Sequence, residues 1–243
     1  MTESPARGTL ERMARNPLGI EAHPGTDLAL NAPGAVSTTL ARDLRETNPL
    51  RSRAERLLSI RTTESWLREI ANCERKVAVD LDRLGPHWKV LHAVPVGVDK
   101  PAISHLVIGP GGVYTIATRG FRPPHVQGPL ERVEAQVMGD EITIHGASTA
   151  HLAEARAQAW RASRTLSGAI GERIFVRPAV VLVGVHDIRL MEIPERVDVL
   201  ARRQLVPWLQ RFPKRLSAVD VDRRFEAARR GDTWLDPTGR DYV

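Results

Sequence analysis

The chain has 243 residues, 42% apolar and 26% charged, a composition that suits a folded globular protein and excludes a wholly disordered chain. A single cysteine, Cys73, excludes an intrachain disulfide framework and a cysteine-based zinc site. Net charge is +6 with an isoelectric point near 10.2, no apolar run reaches the roughly 18 residues of a membrane span, and no charged-then-apolar leader pattern opens the chain; the expectation is a cytoplasmic protein with no membrane partner.

Residues 1–48 read as a disordered tail, since "HPGTDLALNAPGAVSTT" mixes Pro, Gly, Ser and Thr without a sustained period. They hold five Arg against six Asp and Glu, so the basic excess belongs to the rest of the chain. That excess fits a polyanion partner. It fits plain solubility equally well, because only four of the 35 basic residues are Lys. Asn48-Pro49 opens a helical extension over 49–62, with Asn as cap and Pro at the first helical position. A longer helix follows from Thr63 to Leu84, with Trp66, Ile70, Cys73, Val77, Leu81 and Leu84 expected on its apolar face. Cys73 on that face reads as a small buried residue.

"WKVLHAVPV" (88–96) alternates as a strand, with His92 a partly exposed structural residue. "ISHLVIGPGGVYTIATRG" (103–120) reads as two strands joined by a Gly-Pro-Gly-Gly turn. No Lys-Ser/Thr helix start follows that turn, which excludes a phosphate-binding loop of the P-loop type. "RVEAQVMGDEITIHG" is a second hairpin turning at Gly139-Asp140. Ser148 or Thr149 is expected to cap a helix running to Ile170, with Leu152, Ala155, Ala159, Ala162 and Leu166 on one face and Gly171 at its end. "IFVRPAVVLVG" (174–184) holds a continuous apolar run, the mark of a strand covered on both faces. "VDVL" (197–200) is a short strand, "RRQLVPWLQRF" a helix, and Ser217 with Asp220 a capping box for a last helix. The order is that of an α/β sandwich, a mixed central sheet flanked by helices with extra C-terminal helices.

"CERKVAVDLDRL", "WKVLHAVPVG", "ISHLVIGPGGVYTIATRG", "VRPAVVLVG" and "DTW" resemble, in this order and spacing, the nuclease-related domain (NERD) family, placed with the PD-(D/E)XK nucleases. The resemblance implies a restriction-endonuclease-like fold over residues 63–235, leaving 236–243 as a C-terminal tail. It also implies a site built from a helical Glu, an Asp in "IDH", and an acid and a Lys in "(E/D)xK". Such carboxylates hold Mg²⁺, which activates water at a phosphate, while the Lys offsets developing charge. Carried over residue by residue, the helical Glu is Glu74, the Asp position holds Ser104, the second acid position holds Ala117, and the Lys position holds Arg119. Residues 117 and 119 share a strand face by alternation. His105, the "H" of the motif, points the other way and reads as structural.

Two acids are missing, so the resemblance implies a catalytically inactive nuclease-fold module acting in nucleic-acid binding or DNA processing, with no cofactor. Arg119 and Arg122 are its candidate nucleic-acid contacts. One alternative is a Mg²⁺-dependent endonuclease using displaced acids, with Glu74 and Asp99 as metal ligands and Glu134, Asp140 or Glu141 as further sources. Another is a structural module whose partner is a protein rather than DNA. Glu74 itself also reads as one half of a helix charge pair.

Overall fold

The most apolar stretches become the inner strands of a mixed sheet. The computed structural model describes residues 25–47, 63–96, 102–120, 133–144, 147–149 and 152–235. Strands β1 (Lys89–Val94), β2 (Ile103–Gly109) and β3 (Gly112–Gly120) form an antiparallel meander. β7 (Val176–Val183) then lies parallel to β3, and β9 (Asp198–Ala201) lies parallel to β7, giving the order β1-β2-β3-β7-β9. β2 is buried at every position, as a strand covered on both faces must be. A second, four-stranded sheet has the order β6-β5-β4-β8, from β4 (Glu134–Met138), β5 (Glu141–Ile144), β6 (Ala147–Thr149) and β8 (Asp187–Leu190).

Helices α1 (Ala35–Thr47) and α2 (Thr63–Leu81) precede the sheet, and α3 (Leu152–Ile170) crosses over between β6 and β7. The C-terminal pair are the short α4 (Leu205–Gln210) and α5 (Ala218–Arg229). On one face of the sheet, Cys73, Val77 and Leu81 of α2 and Leu205 and Trp208 of α4 pack on Val107, Tyr114, Ile116 and Val181. On the other, Ala159, Ala162 and Leu166 of α3 meet Leu106, Ile108, Val113 and Val176. The second sheet closes that side, burying Ala135, Val137 and Ile142 with Ala117, Val180 and Leu182. The mixed α/β sandwich with flanking helices expected from the sequence is present, and it is compatible with a nuclease-like fold. No helix among the described residues is long and apolar enough to cross a membrane.

Three expectations are corrected. Residues 25–47 are not a disordered tail. Leu28 enters the core, Gly231 N–H donates to Thr26 O at 2.7 Å, Asp27 pairs with Arg229, and α1 packs on α2. These anchors are single residues and polar contacts, so they leave no period to read. The helical extension over 49–62 and the tail at 236–243 lie outside the described residues. On α2, Trp66 is 48% exposed and Leu67 takes the buried place, because α1 covers a second side of the helix and brings Ala71 and Ala78 inside too. Ser148 and Thr149, expected at the start of α3, belong instead to β6, paired with β5, and the helix begins at Leu152. β8 is mostly exposed, so it lacks the apolar signature of a strand, and its pairing with β4 defines it. The capping box forms as expected, with Ser217 Oγ accepting from Asp220 N–H at 3.2 Å and Asp220 Oδ2 accepting from Ser217 N–H at 3.1 Å.

Candidate functional site

The hairpin of β2 and β3 opens into a fork. The strands pair from Gly109 and Gly112 down to His105 and Ile116, and then part. Beyond the last pair stand Ser104 on β2 and Ala117, Thr118 and Arg119 on β3. The neighbouring strand is distorted at the same level. Ala93 has φ of 51°, in the left-handed region that costs an ordinary residue about 1 kcal/mol or more, and the β1–β2 ladder skips the step between Ala93 and Ser104. Asn31 braces this distortion: its Nδ2 donates to the carbonyls of His92 at 3.3 Å and Ala93 at 3.2 Å.

The Ser104 hydroxyl fills the fork. It accepts from the Thr118 N–H at 3.3 Å and donates to the Glu74 carboxylate. Glu74 reaches it because α2 lies close over the end of β3. Gly120 permits that approach, since a Cβ there would stand 2.5 Å from Cys73 Sγ. Glu74 is only 9% exposed. Burial pushes its carboxyl above the usual carboxylate range, while the Ser104 hydrogen bond and the charges of Arg119 and Arg75 pull it partly back. Burial also raises the Cys73 thiol, which keeps it protonated and supports its reading as a structural residue.

Arg119 turns to the face occupied by α3. Its Nη2 donates to Glu154 Oε2 at 2.9 Å and its Nη1 to the Thr118 carbonyl at 3.0 Å. Its Nε is buried with no hydrogen-bond partner among the described residues. Arg119 therefore serves carboxylates from both flanking helices: Glu154 by direct contact and Glu74 by charge. Ala117 points to the same side but packs among Leu152, Ala155, Val180 and Leu182. With Glu74, Ser104 and Ala117 all buried, the place is a filled fork rather than an open cleft.

Glu154 was not singled out from the sequence. It is an acid in the first turn of a helix, where acids are common. A trace exists one turn on: Gln158 is a buried polar residue on a face otherwise made of Leu and Ala, and its Nε2 donates to the Ala102 carbonyl at 3.4 Å. His105 points away from the fork, as expected. Its Nδ1 lies 2.8 Å from His92 Nδ1, and burial lowers the pKa of both rings. Glu134 pairs with Arg189 at 2.8 Å and Asp140 with Arg156, so both are committed elsewhere, while Glu141 is an exposed strand end. Asp99 and Arg122 lie outside the described residues.

Residues 71–183 match the family model of the nuclease-related domain. This segment is therefore similar to a nuclease-related domain. No curated protein and no solved structure matches it. The matched segment contains Glu74, Ser104, Ala117, Arg119 and Glu154.

A nuclease-related fold implies a divalent metal at the fork, and the residues present do not fit one. Mg²⁺ takes about six oxygen ligands in near-octahedral geometry, with carboxylates supplying charge. The motif positions offer one buried carboxylate and a hydroxyl already used in both directions, beside a methyl group and a guanidinium that cannot ligate, and the nearby Glu154 carboxylate is held by Arg119. Among the described residues no group of three or more His, Cys, Asp or Glu stands where it could hold a metal ion.

Proposed function

We propose that this nuclease-related domain is a non-catalytic module that binds nucleic acid. The observation that carries this reading is Arg119 at the fork, tied to Glu154 and facing Glu74, where a nuclease needs acids and a metal. A guanidinium already in place there repels a second cation. The basic balance of the chain supports a phosphate-backbone partner. Arg119 and Arg122 are the proposed contacts from the old motif.

Two measurements test this on the full chain. Supercoiled plasmid with Mg²⁺ or Mn²⁺ should remain uncut above background, with Glu74→Ala as control. Labelled duplex DNA should bind in anisotropy at about 50 mM salt and weaken strongly by about 200 mM, as counterion release requires. Wild-type cleavage that disappears in Glu74→Ala would show that displaced acids, Asp99 among them, had been recruited around a metal. Absence of both cleavage and low-salt binding would put a protein-binding role first.

A further inference from the structure

A pocket of about 250 Å³ lies at the other end of the sheet, where β3 and β7 begin. Arg173, Arg177, Arg215 and Arg224 line it, with Tyr114 and Phe175. Arg119 is several residues along β3 from it, roughly 20 Å at strand rise. We propose that this pocket binds a nucleoside monophosphate, either free or as the phosphorylated end of a nucleic-acid strand.

The donors come first. Arg173, Arg177 and Arg215 have no acidic partner among the described residues. Arg224 does have one, Glu172 at 2.6 Å, but Glu172 is shared with Arg223 at 2.7 Å and cannot balance the rest. Two donors of this pocket are buried without acceptors among the described residues: the Tyr114 hydroxyl, on a residue 1% exposed, and Arg224 Nη1. Buried polar groups are almost always paired, so two orphan donors in one arginine-lined pocket call for an acceptor-rich ligand. A phosphate offers several anionic oxygens and suits arginine forks. Gly111 keeps the way to the phenol open, since a Cβ there would stand 2.6 Å from the Tyr114 oxygen and 2.9 Å from Phe212 Cβ. Burial pushes the phenol pKa up to about 12, so the O–H remains a donor at neutral pH.

The ring follows. Phe175 sits at the rim, 71% exposed, with one face approached by Arg177 at 5.9 Å. An exposed aromatic beside a phosphate site is a stacking platform for a base. Phe212 is by contrast a wall, already packed by Tyr114, Trp208 and Arg177. The volume is below the roughly 300–1,000 Å³ typical of drug-sized ligands, which favours one phosphate with the base lying over the rim rather than a larger cofactor inside.

The test is calorimetric titration of the full chain with AMP, adenosine and inorganic phosphate, plus anisotropy with 5′-phosphorylated and 5′-hydroxyl oligonucleotides. Saturable AMP binding, tighter than phosphate and absent for adenosine, is expected. Arg215→Gln and Tyr114→Phe should each weaken AMP about tenfold or more, the worth of a hydrogen bond to a charged group. Phe175→Ala should bring AMP down to the level of phosphate. Arg189→Gln, which removes the same charge from β8, should change nothing. A preference for the 5′-phosphorylated strand identifies the nucleic-acid end as the source, and equal binding of both strands identifies the free nucleotide. No saturable AMP binding, or equal losses in Arg189→Gln and Arg215→Gln, would overturn the proposal. Duplex binding that survives Arg215→Gln while AMP binding is lost separates this site from the reading of the fork.

Discussion

Restoring the two missing acids, Ser104→Asp with Ala117→Glu, asks whether the fork is a metal site in waiting. Ala117 is 3% exposed among Leu152, Ala155, Val180 and Leu182. A glutamate there overpacks the cluster, at about 1–3 kcal/mol. It also buries a carboxylate whose nearest cation, Arg119, is already held by Glu154. An aspartate at 104 faces Glu74, whose carboxyl is already raised by burial. Without metal, the double variant should lose roughly 2–5 kcal/mol, which at about 2–4 °C per kcal/mol is a fall of roughly 5–20 °C in Tm. Metal should return part of this. Ligand at about 100 times its Kd stabilises by about 2.7 kcal/mol, a rise of roughly 5–10 °C. The assay is thermal melting with and without Mg²⁺, ionic strength matched with NaCl. The wild type should not shift specifically with Mg²⁺, and the double variant should. A wild-type Mg²⁺ shift that disappears in Glu74→Gln would refute the reasoning, because it would mean the fork holds a metal as it stands.

A double-mutant cycle on Arg119→Met and Glu154→Gln should give a coupling energy of about 1–3 kcal/mol in chemical denaturation, between the values for exposed and buried pairs, since both side chains are partly covered; a coupling near zero would demote the pair to a surface contact. Glu74→Gln should stabilise the protein at neutral pH. The carboxyl has a raised folded pKa, so its ionised form costs stability above that pKa and the cost fades as pH falls through it; the variant's advantage in Tm should shrink toward pH 4, and a variant less stable than wild type at every pH would contradict this. The His92–His105 pair works in the other direction. Both folded pKa values are depressed, so stability is full above the unfolded value of about 6.5 and falls below it by up to about 1.4 kcal/mol per pH unit per ring; melts from pH 7.5 to 5 that stay flat, once compared with His105→Gln, would exclude the effect.

The central sheet was legible because its strands carry their own signatures. The run at 174–184 announces a strand covered on both faces, and β7 lies inside the sheet with β3 and β9 as neighbours. Alternation placed 117 and 119 on one face, and both do turn toward α3. The second sheet was half legible. Its hairpin at Gly139-Asp140 has a turn signal, whereas β6 and β8 are short strands fixed by pairing with earlier chain, β5 and β4. Residues 25–47 were misread for a related reason. What orders them is Leu28 in the core, Asn31 on the carbonyls of β1 and Asp27 on Arg229, each a long-range contact made by one residue. Composition counts such residues as polar linker, since the surface that binds them is over fifty residues away.

Glu154 shows the same limit at the site, and it changes how the fork is understood. From the motif alone, the fork is a nuclease centre with acids removed, an incomplete thing. With Glu154 present, its one motif cation, Arg119, is already paired. Ser104 and Ala117 take away two negative charges that a dication would need, and Arg119 supplies a cation that Glu74 and Glu154 can balance. A resident Mg²⁺ would now be in excess and beside a guanidinium. The Ser104 hydroxyl is committed too, since it uses its proton on Glu74 and a lone pair on the Thr118 N–H. The arginine pocket at the opposite end of β3 is unbalanced in the reverse sense. There, among the described residues, three arginines lack acids and two buried donors lack acceptors. An anionic ligand would supply those acceptors, so a small phosphate-bearing ligand is expected at the end of the sheet opposite the old motif.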